Sequence, residues 1–109
     1  MVKAITPQEA QVLIDRGELE VIDVRDPHEW QGGHLPSARH VPLSRFRAGP
    51  KSHMNRDGVL FVCAAGVRSN MAAQLAIAAG FQGVYNLVGG TRAWATAGLT
   101  LVRPARKTG

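Results

Sequence analysis

The chain has 109 residues, a single cysteine and a formal net charge of +5, with hydrophobic and charged fractions of 45% and 19%. This length accommodates one ordinary domain, and the composition is that of a globular protein rather than of a disordered or fibrous one. No apolar run approaches the ~20 residues of a membrane-spanning helix, and the first residues lack the apolar stretch of a signal peptide. We therefore expect a cytoplasmic protein that does not act at a membrane.

The charges are distributed unevenly along the chain. All eight acidic residues lie between Glu9 and Asp57, and every charge after Gly58 is basic. This asymmetry suits a small anionic substrate or an acidic partner, although a solvated surface accounts for most of the basic side chains. Nucleic acid is a weaker alternative, because the sequence has no RNA-binding signature and little aromatic interleaving.

In the first half of the chain, short strands alternate with short helices. Residues 2–5 are compatible with a strand. Thr6 and Glu9 are spaced as in a capping box, Pro7 suits a first helical position, and the helix of about ten residues that they predict ends before Gly17. Beyond it we predict a buried strand at 20–24, a helical turn at 27–30, a strand at 40–41, a short helix at 43–46, and loops at 48–53 and 55–58.

In the second half, the predicted elements surround the cysteine. They are a strand at 59–62, a glycine-containing loop that begins with Cys63, a helix at 70–79, a strand at 84–88, a turn at 89–90 and a helix at 91–97. Such alternation favours an α/β fold with a mostly parallel sheet that helices cover on both faces, and ligands bind outside the carboxyl ends of its strands. We expect one domain at 1–102 and a loosely ordered basic tail at 103–109.

The cysteine is the candidate reactive group. A lone cysteine forms neither an internal disulfide nor a multi-cysteine metal site, so Cys63 is either a buried apolar residue or a reactive thiol. It lies where a strand stops and a helix follows, and the unpaired N–H groups of a helix start stabilise anions and lower the pKa of a thiol. Together with Gly66 and Arg68 in the same loop, this position favours the reactive thiol.

Three motifs in this chain resemble those of single-domain rhodaneses, the thiosulfate sulfurtransferase family. They are residues 21–30 with 33–38, the loop Cys63-Ala-Ala-Gly-Val-Arg-Ser69, and residues 86–94, and their order and spacing cover nearly the whole chain. The resemblance implies a five-stranded, mostly parallel α/β sheet and a cysteine that forms a persulfide at position 63. We predict neither a cofactor nor a metal site, and His28, His40 and His53 have no metal-like spacing and are expected at the surface.

The resemblance implies a covalent, two-step sulfur transfer. The thiolate of Cys63 attacks a donor such as thiosulfate, sulfite leaves, and cyanide or a thiol then takes the sulfur from the persulfide. Alternatives are a sulfur relay between protein partners and a carrier or regulatory module without turnover. A cysteine phosphatase or arsenate reductase is less favoured, because four residues separate Cys63 from Arg68 where the related phosphatases have five.

The loop supplies most of the predicted substrate contacts. Its first residues are small and uncharged, so that successive backbone N–H groups can converge on the outer sulfur. Gly66 is the expected point of close approach or unusual φ. Arg68 either faces the substrate or braces the loop by pairing with a carboxylate. The predicted substrate-binding residues of the loop are Ala64, Ala65, Gly66, Val67, Arg68 and Ser69.

Polar residues at the end of the neighbouring strand form a second predicted group. Asp23 and Arg25 are two residues apart and therefore point to the same side, where a buried ion pair would support the loop. Asp23 is assigned the supporting role, and Arg25 is a candidate for contact with the donor anion or the loop. His34 is expected to make a structural hydrogen bond, and Trp30 and Trp94 are expected to be core anchors or pocket walls.

Overall fold

A computed structural model describes residues 1–104 and shows a five-stranded parallel sheet with six helices among those residues. The strand order is β1-β5-β4-β2-β3. The strands are β1 (Lys3–Ile5), β2 (Glu20–Asp23), β3 (Arg39–His40), β4 (Val59–Val62) and β5 (Val84–Leu87). The helices are α1 (Pro7–Asp15), α2 (Pro27–Gln31), α3 (Leu43–Ala48), α4 (Pro50–His53), α5 (Val67–Ala78) and α6 (Gly90–Thr96).

Strand β4 lies at the centre of the sheet and all four of its residues are buried. Its apolar run is typical of a strand covered on both faces of a parallel sheet. Val62 pairs in register with Asp23 of β2, and Phe61 pairs with Asn86 of β5. The carboxyl ends of the three strands therefore meet at one edge, and Cys63 follows β4 at that edge.

The two faces of the sheet carry separate apolar clusters, because successive strand residues point to opposite sides. Phe61 packs on one face with Phe46 of α3 and with the alanines of α5. Leu60 and Val62 pack on the other face with Trp94 of α6, which is a core anchor as predicted. The small alanine side chains let α5 lie close to the sheet, and this packing fixes the start of α5 at the sheet edge.

The first helix begins as the sequence predicts. The Glu9 amide donates to Thr6 Oγ1 at 3.2 Å and the Thr6 amide donates to Glu9 Oε1 at 2.9 Å, so both bonds of the capping box are present. The helix is followed by Arg16 as its cap and by Gly17 at a φ of +72°. The capping box therefore fixes the start of α1, and the backbone conformation of Gly17 ends it.

Several element boundaries differ from the prediction by one or more residues. The predicted loop at 48–53 contains α4, because Pro50 is preset for a first helical position. The predicted helix at 70–79 begins instead at Val67, since Gly66 caps it. The small strand covers 39–40 rather than 40–41. The predicted tail at 103–109 lies mostly outside the described residues. Within residues 1–104, no helix is long and apolar enough to cross a membrane.

Candidate active site

Cys63 lies at the carboxyl end of the central strand and is only 1% exposed. The amide of Gly66 donates a hydrogen bond to its Sγ at 3.0 Å. The hydroxyl oxygen of Ser69, in the first turn of α5, lies 3.2 Å from the same sulfur. The structure thus brings together three residues of the predicted loop around one sulfur atom.

Gly66 has the unusual backbone conformation that the sequence predicts. Its φ is +103°, a value that residues other than glycine rarely adopt. Gly66 caps α5 from this left-handed conformation. A Cβ at this position would also lie 3.5 Å from the Leu87 carbonyl oxygen and 3.6 Å from the Gly89 amide nitrogen. The glycine turns the loop so that its own amide points back at the Cys63 sulfur.

The pKa of Cys63 lies below its ordinary value, as the net result of influences that act in opposite directions. Burial is the largest single one and acts to raise the pKa, because it disfavours the charged thiolate. Hydrogen bonds from the Ser69 hydroxyl and from the amides of Ser69, Ala65 and Gly66 lower it, and together they prevail. A lowered pKa increases the thiolate fraction near neutral pH, and the thiolate is the nucleophilic form.

Asn86, near the end of β5, joins the loop to the neighbouring strand. Its Nδ2 donates to the Gly66 carbonyl oxygen at 3.1 Å, and its Oδ1 accepts from the Ser69 hydroxyl at 2.6 Å. The sequence alone predicts no role for Asn86. The available signal was its place at the start of the third motif, on a strand whose carboxyl end meets that of β4.

The start of α6 holds the backbone of the loop. The amide of Thr91 donates to the Cys63 carbonyl oxygen at 2.9 Å, and the amide of Arg92 donates to that of Ala64 at 3.2 Å. Gly90, with a φ of +59°, packs so tightly here that an added Cβ would overlap the Cys63 and Ala64 backbone. The sequence predicts only a turn at 89–90 and not this contact, which joins two segments far apart in sequence.

Arg68 pairs with a carboxylate of α2. Its two terminal nitrogens donate to the two carboxylate oxygens of Glu29 at 2.7 and 2.9 Å, and one of them lies 3.9 Å from Asp26. The hydrogen bonds from Arg68 lower the pKa of Glu29 to about 2, and the same pairing raises the pKa of Arg68. Of the two roles left open by the sequence, this geometry has Arg68 bracing α5 against α2.

Asp23 and Arg25 form a buried ion pair at the end of β2, as their spacing predicts. The guanidinium Nε lies 3.0 Å from both carboxylate oxygens of Asp23, and Nη2 lies 2.8 Å from Oδ2. Arg25 Nη2 also donates to the Gly33 carbonyl oxygen at 2.7 Å. These contacts direct the guanidinium towards the segment after α2, and within residues 1–104 it makes no hydrogen bond to the loop.

Trp30 lies between two histidines beside the ion pair. Its ring stacks on His34 with centroids 3.5 Å apart and on His40 with centroids 4.8 Å apart. His34 Nδ1 lies 2.8 Å from the Leu35 carbonyl oxygen, which is the structural hydrogen bond expected for it. His40 is half-buried, and its Nε2 lies 2.7 Å from the Arg25 carbonyl oxygen.

Among the described residues, one group has the composition of a metal site. Ligand atoms of Asp26, His28 and Glu29 lie within 4.8 Å of one another. Both oxygens of Glu29 already accept hydrogen bonds from Arg68, and one also accepts from the Asp26 amide. One of the two carboxylates of this group is therefore already bonded to a guanidinium.

The fold and the site define an α/β protein with a hydrogen-bonded cysteine at the carboxyl edge of a parallel sheet. The chain belongs to the rhodanese-like domain family, whose model matches residues 6–97. This agrees with the resemblance seen in the three sequence motifs and with the five-stranded α/β sheet that the resemblance implied.

Two curated relatives are similar in sequence. The chain is 35% identical over 94 residues to the uncharacterized protein YqhL of Bacillus subtilis, covering 86% of this chain and 73% of that protein. It is 41% identical over 95 residues to the probable adenylyltransferase/sulfurtransferase MoeZ of Mycobacterium tuberculosis. That match covers 84% of this chain but only 24% of MoeZ, so the chain corresponds to one part of that larger protein.

Solved structures show the same fold. A rhodanese-related protein from Thermoplasma volcanium superimposes with a TM-score of 0.82 at 27% identity, covering 92% of this chain and 97% of that one. A thiosulfate sulfurtransferase from Pseudomonas aeruginosa superimposes with a TM-score of 0.80 at 28% identity, covering 94% of this chain and 20% of that one. Proteins named as sulfurtransferases are thus among those similar to this chain in sequence and in structure.

Proposed function

We propose that this protein is a sulfurtransferase that moves sulfane sulfur from thiosulfate, or from a persulfide donor, to cyanide or a thiol. The sulfur would be carried as a persulfide on Cys63. The observation that supports this most directly is the environment of the Cys63 sulfur, which accepts a hydrogen bond from the Gly66 amide at 3.0 Å and has a lowered pKa. A lowered pKa increases the fraction of the thiolate, which is the nucleophilic form.

In the first half-reaction the thiolate attacks the outer sulfur of thiosulfate. A bond forms between Cys63 Sγ and that sulfur, the sulfur–sulfur bond of thiosulfate breaks, and its electron pair leaves with sulfite. The negative charge then lies on the outer sulfur of the persulfide. Backbone N–H groups of the loop, supported by the partial positive charge at the start of α5, stabilise this charge.

In the second half-reaction the acceptor attacks the outer sulfur. With cyanide, the carbon bonds to that sulfur, the bond to Sγ breaks, and thiocyanate leaves while the Cys63 thiolate is restored. The hydrogen bonds from Gly66 and Ser69 that favour the thiolate make Cys63 a better leaving group in this step. The same contacts therefore assist both half-reactions.

The loop residues contribute chiefly through their backbone in this proposal. Ala64, Ala65 and Val67 have no side-chain donor, so their N–H groups are what they offer an anionic sulfur. Arg68 and Arg25 are each bonded to a carboxylate in the structure, and we assign them to support of the site. This leaves recognition of the donor to the backbone and to the overall positive charge.

The spacing of the loop distinguishes this proposal from phosphoryl or arsenate chemistry. Four residues separate Cys63 from Arg68, and the guanidinium that would bind an oxyanion is held by Glu29 instead. A bidentate guanidinium–carboxylate pair neutralises the charge that a phosphoryl group would need. We therefore place phosphatase and arsenate reductase activity behind sulfur transfer.

A thiocyanate assay tests the proposal. Wild-type protein supplied with thiosulfate and cyanide is expected to form thiocyanate with turnover, and Cys63→Ser is expected to abolish it, because a serine hydroxyl forms no persulfide. Leu101→Ser, a change at an exposed position away from the loop, serves as the control that should retain activity. Equal rates for the wild type and Cys63→Ser would contradict the proposal.

A relay to a protein acceptor is a second candidate function, and a surface beside the loop favours it. A groove of about 330 Å³ lies between α3 and α5 and is lined by Arg47, Asn70, Met71, Gln74 and Leu75. Met71 is 43% exposed, and Val67, which belongs to the loop and lies one helical turn earlier, is 71% exposed.

Charge specifies the kind of partner that this groove would accept. Arg45 and Arg47 of α3 are exposed, and no carboxylate pairs with them among residues 1–104. We propose that the groove receives an acidic segment of a partner protein, with an apolar side chain against Met71 and the acceptor thiol over Cys63. Electrostatic complementarity of this kind raises the association rate and selects partners.

Two synthetic peptides test the relay without knowledge of the partner. Each peptide carries a single cysteine. In the first peptide glutamates flank the cysteine, and in the second lysines flank it. The Cys63 persulfide is expected to transfer sulfur faster to the acidic peptide, and Arg47→Glu should remove that preference while transfer to the neutral thiol 2-mercaptoethanol is unchanged. Met71→Ser is expected to slow transfer to the acidic peptide, because it removes the apolar contact. Val12→Ser is its control, since Val12 is similarly exposed at 48%. Equal rates for both peptides would exclude the relay surface.

The cellular location belongs to the same proposal. A thiol that must alternate between free and persulfide forms requires a compartment that keeps it from being oxidised to a disulfide. We therefore propose that the protein acts in the cytoplasm.

A further inference from the structure

The hydroxyl of Ser69 has a single hydrogen and two neighbours that can accept it. Its oxygen lies 2.6 Å from Asn86 Oδ1 and 3.2 Å from Cys63 Sγ. A serine hydroxyl donates only one hydrogen bond at a time, although its oxygen can accept others. Ser69 therefore cannot donate a hydrogen bond to both of these atoms at the same moment.

The orientation of the Asn86 amide is fixed by its other contact. The Nδ2 group lies 3.1 Å from the Gly66 carbonyl oxygen, which is an acceptor and must face a donor. A flipped amide would place two acceptors against each other there. Oδ1 therefore faces Ser69, and this atom can only accept.

The protonation state of Cys63 decides which of the two contacts Ser69 donates. When the sulfur is a thiol, its S–H donates to Ser69 Oγ, and the Ser69 hydrogen is free to bond Asn86 Oδ1 at the short distance. When the sulfur is a thiolate it has no hydrogen to give, and the Ser69 hydroxyl turns to donate to it. Ionisation then costs the bond between Ser69 and Asn86.

We propose that Asn86 is a positioning residue that competes with the Cys63 sulfur for the hydroxyl hydrogen of Ser69 and so favours the protonated thiol. Asn86 acts through Ser69 and does not touch the sulfur. The effect opposes the hydrogen bond from the Gly66 amide, which favours the thiolate. The two contacts therefore act on the pKa of Cys63 in opposite directions, and the proton leaves most readily when Ser69 turns.

Charged groups near the loop are accounted for by their own pairs. Arg68, at the start of α5, is bonded to Glu29 of α2, and Asp23 at the end of β2 is bonded to Arg25. Asn86 makes no hydrogen bond to any of these four side chains among the described residues. A neutral substitution of Asn86 therefore leaves these charges in place. A change in the pKa of Cys63 then reports either on the Ser69 hydrogen or on the loop that the bond from Asn86 to Gly66 supports, and a double variant separates the two.

The test measures the pKa of Cys63 from the pH dependence of alkylation by iodoacetamide, with circular dichroism to confirm folding. Asn86→Ala is expected to lower this pKa by about 0.5 to 1 unit, the size of one hydrogen bond. Ser69→Ala is expected to raise it by a similar amount. If Asn86→Ala folds poorly, Asn86→Val preserves the strand preference of β5 and removes the same acceptor.

The double variant separates competition from structural support. In a Ser69→Ala background, Asn86→Ala is expected to leave the pKa of Cys63 unchanged, because no hydroxyl hydrogen remains to compete for. The same shift in both backgrounds, or a raised pKa in Asn86→Ala alone, would overturn the proposal. Alkylation needs no sulfur donor, so this result stands apart from that of the thiocyanate assay on which the proposed function depends.

Discussion

The Arg68 guanidinium and the Glu29 carboxylate form a two-point hydrogen-bonded pair, 39 positions apart in sequence, with distances of 2.7 and 2.9 Å. The pair joins α2 to the first turn of α5, immediately after the Cys63 loop. Because Glu29 also accepts a hydrogen bond from the Asp26 amide, one carboxylate fixes the start of α2 and the start of α5 together.

Loss of this pair is expected to reduce stability in a pH-dependent way. The folded-state pKa of Glu29 is about 2, below the value of about 4.3 for the unfolded chain. The pair therefore contributes stability above about pH 4.3, and this contribution is lost as the pH falls through about 2. Glu29→Gln should lower the free energy of unfolding at pH 7 by about 1 kcal/mol, since the pair is partly exposed.

Urea unfolding at pH 7 and at pH 3 measures this effect. The difference between the wild type and Glu29→Gln should be smaller at pH 3 than at pH 7. Glu18→Gln is the control, because the contact of Glu18 with Arg16 spans 4.0 Å between two exposed side chains and should contribute almost nothing. A difference that is constant with pH would show that the charge of Glu29 is not what stabilises the fold.

Gly90 is expected to tolerate no side chain. Gly90→Ala would press a Cβ into the Cys63 and Ala64 backbone, so the loop must move, and we expect a loss of stability above about 3 kcal/mol together with loss of sulfur transfer. Gly98→Ala is the matched control, because Gly98 has a positive φ of +79° but nothing within 4 Å of an added Cβ. It should cost only about 1 to 2 kcal/mol of backbone strain.

Thermal unfolding of Gly90→Ala and Gly98→Ala measures the loss of stability, and the thiocyanate assay on the same two variants measures the loss of sulfur transfer. Full activity in Gly90→Ala would show that the start of α6 does not determine the shape of the loop.

Arg25 is expected to matter for stability rather than for donor binding. Arg25→Gln removes one member of a buried ion pair and leaves the Asp23 carboxylate without its guanidinium, which should cost about 3 kcal/mol. Arg47→Gln is the control, since Arg47 is exposed and should change stability by less than about 0.5 kcal/mol. Unfolding free energies and the KM for thiosulfate measure the two roles. An unchanged stability with a raised KM would instead support contact between Arg25 and the donor.

The positive charge of the chain is expected to assist anionic donors. The second-order rate constant with thiosulfate should fall at least about twofold as ionic strength rises from about 0.02 to 0.5 M, because salt screens long-range attraction. Alkylation of Cys63 by neutral iodoacetamide is the control and should change little. A rate with thiosulfate that is independent of salt would show that charge does not guide the donor.

The sequence predicted the fold well because its signals are local or periodic. The apolar run at 59–62 required a buried strand, and Thr6 with Glu9 required a capped helix start. The position of Cys63 followed from the first of these, since a residue after a central strand lies at the sheet edge. Helix α5 begins at Val67 rather than at residue 70 because Gly66 caps it directly from a left-handed φ. A glycine predicts that φ but does not predict that a helix follows it at once.

The parts of the site that escaped prediction depend on contacts between distant segments. Asn86 and Gly90 act on the loop only because β5 lies beside β4 and α6 begins where β5 ends. The sequence contains several carboxylates that Arg68 could pair with, and only the folded chain shows that its partner is Glu29. Composition and spacing suggested which residue types could act at the site, whereas the register of the sheet determines which of them meet.

The central claim is that sulfur is carried on Cys63, and intact-mass spectrometry tests it most directly. Protein incubated with thiosulfate and freed of small molecules should gain the mass of one sulfur atom, and cyanide should remove that mass with formation of one equivalent of thiocyanate. Cys63→Ser should gain nothing. A wild-type protein that gains no mass, or a Cys63→Ser variant that gains the same mass, would contradict the account.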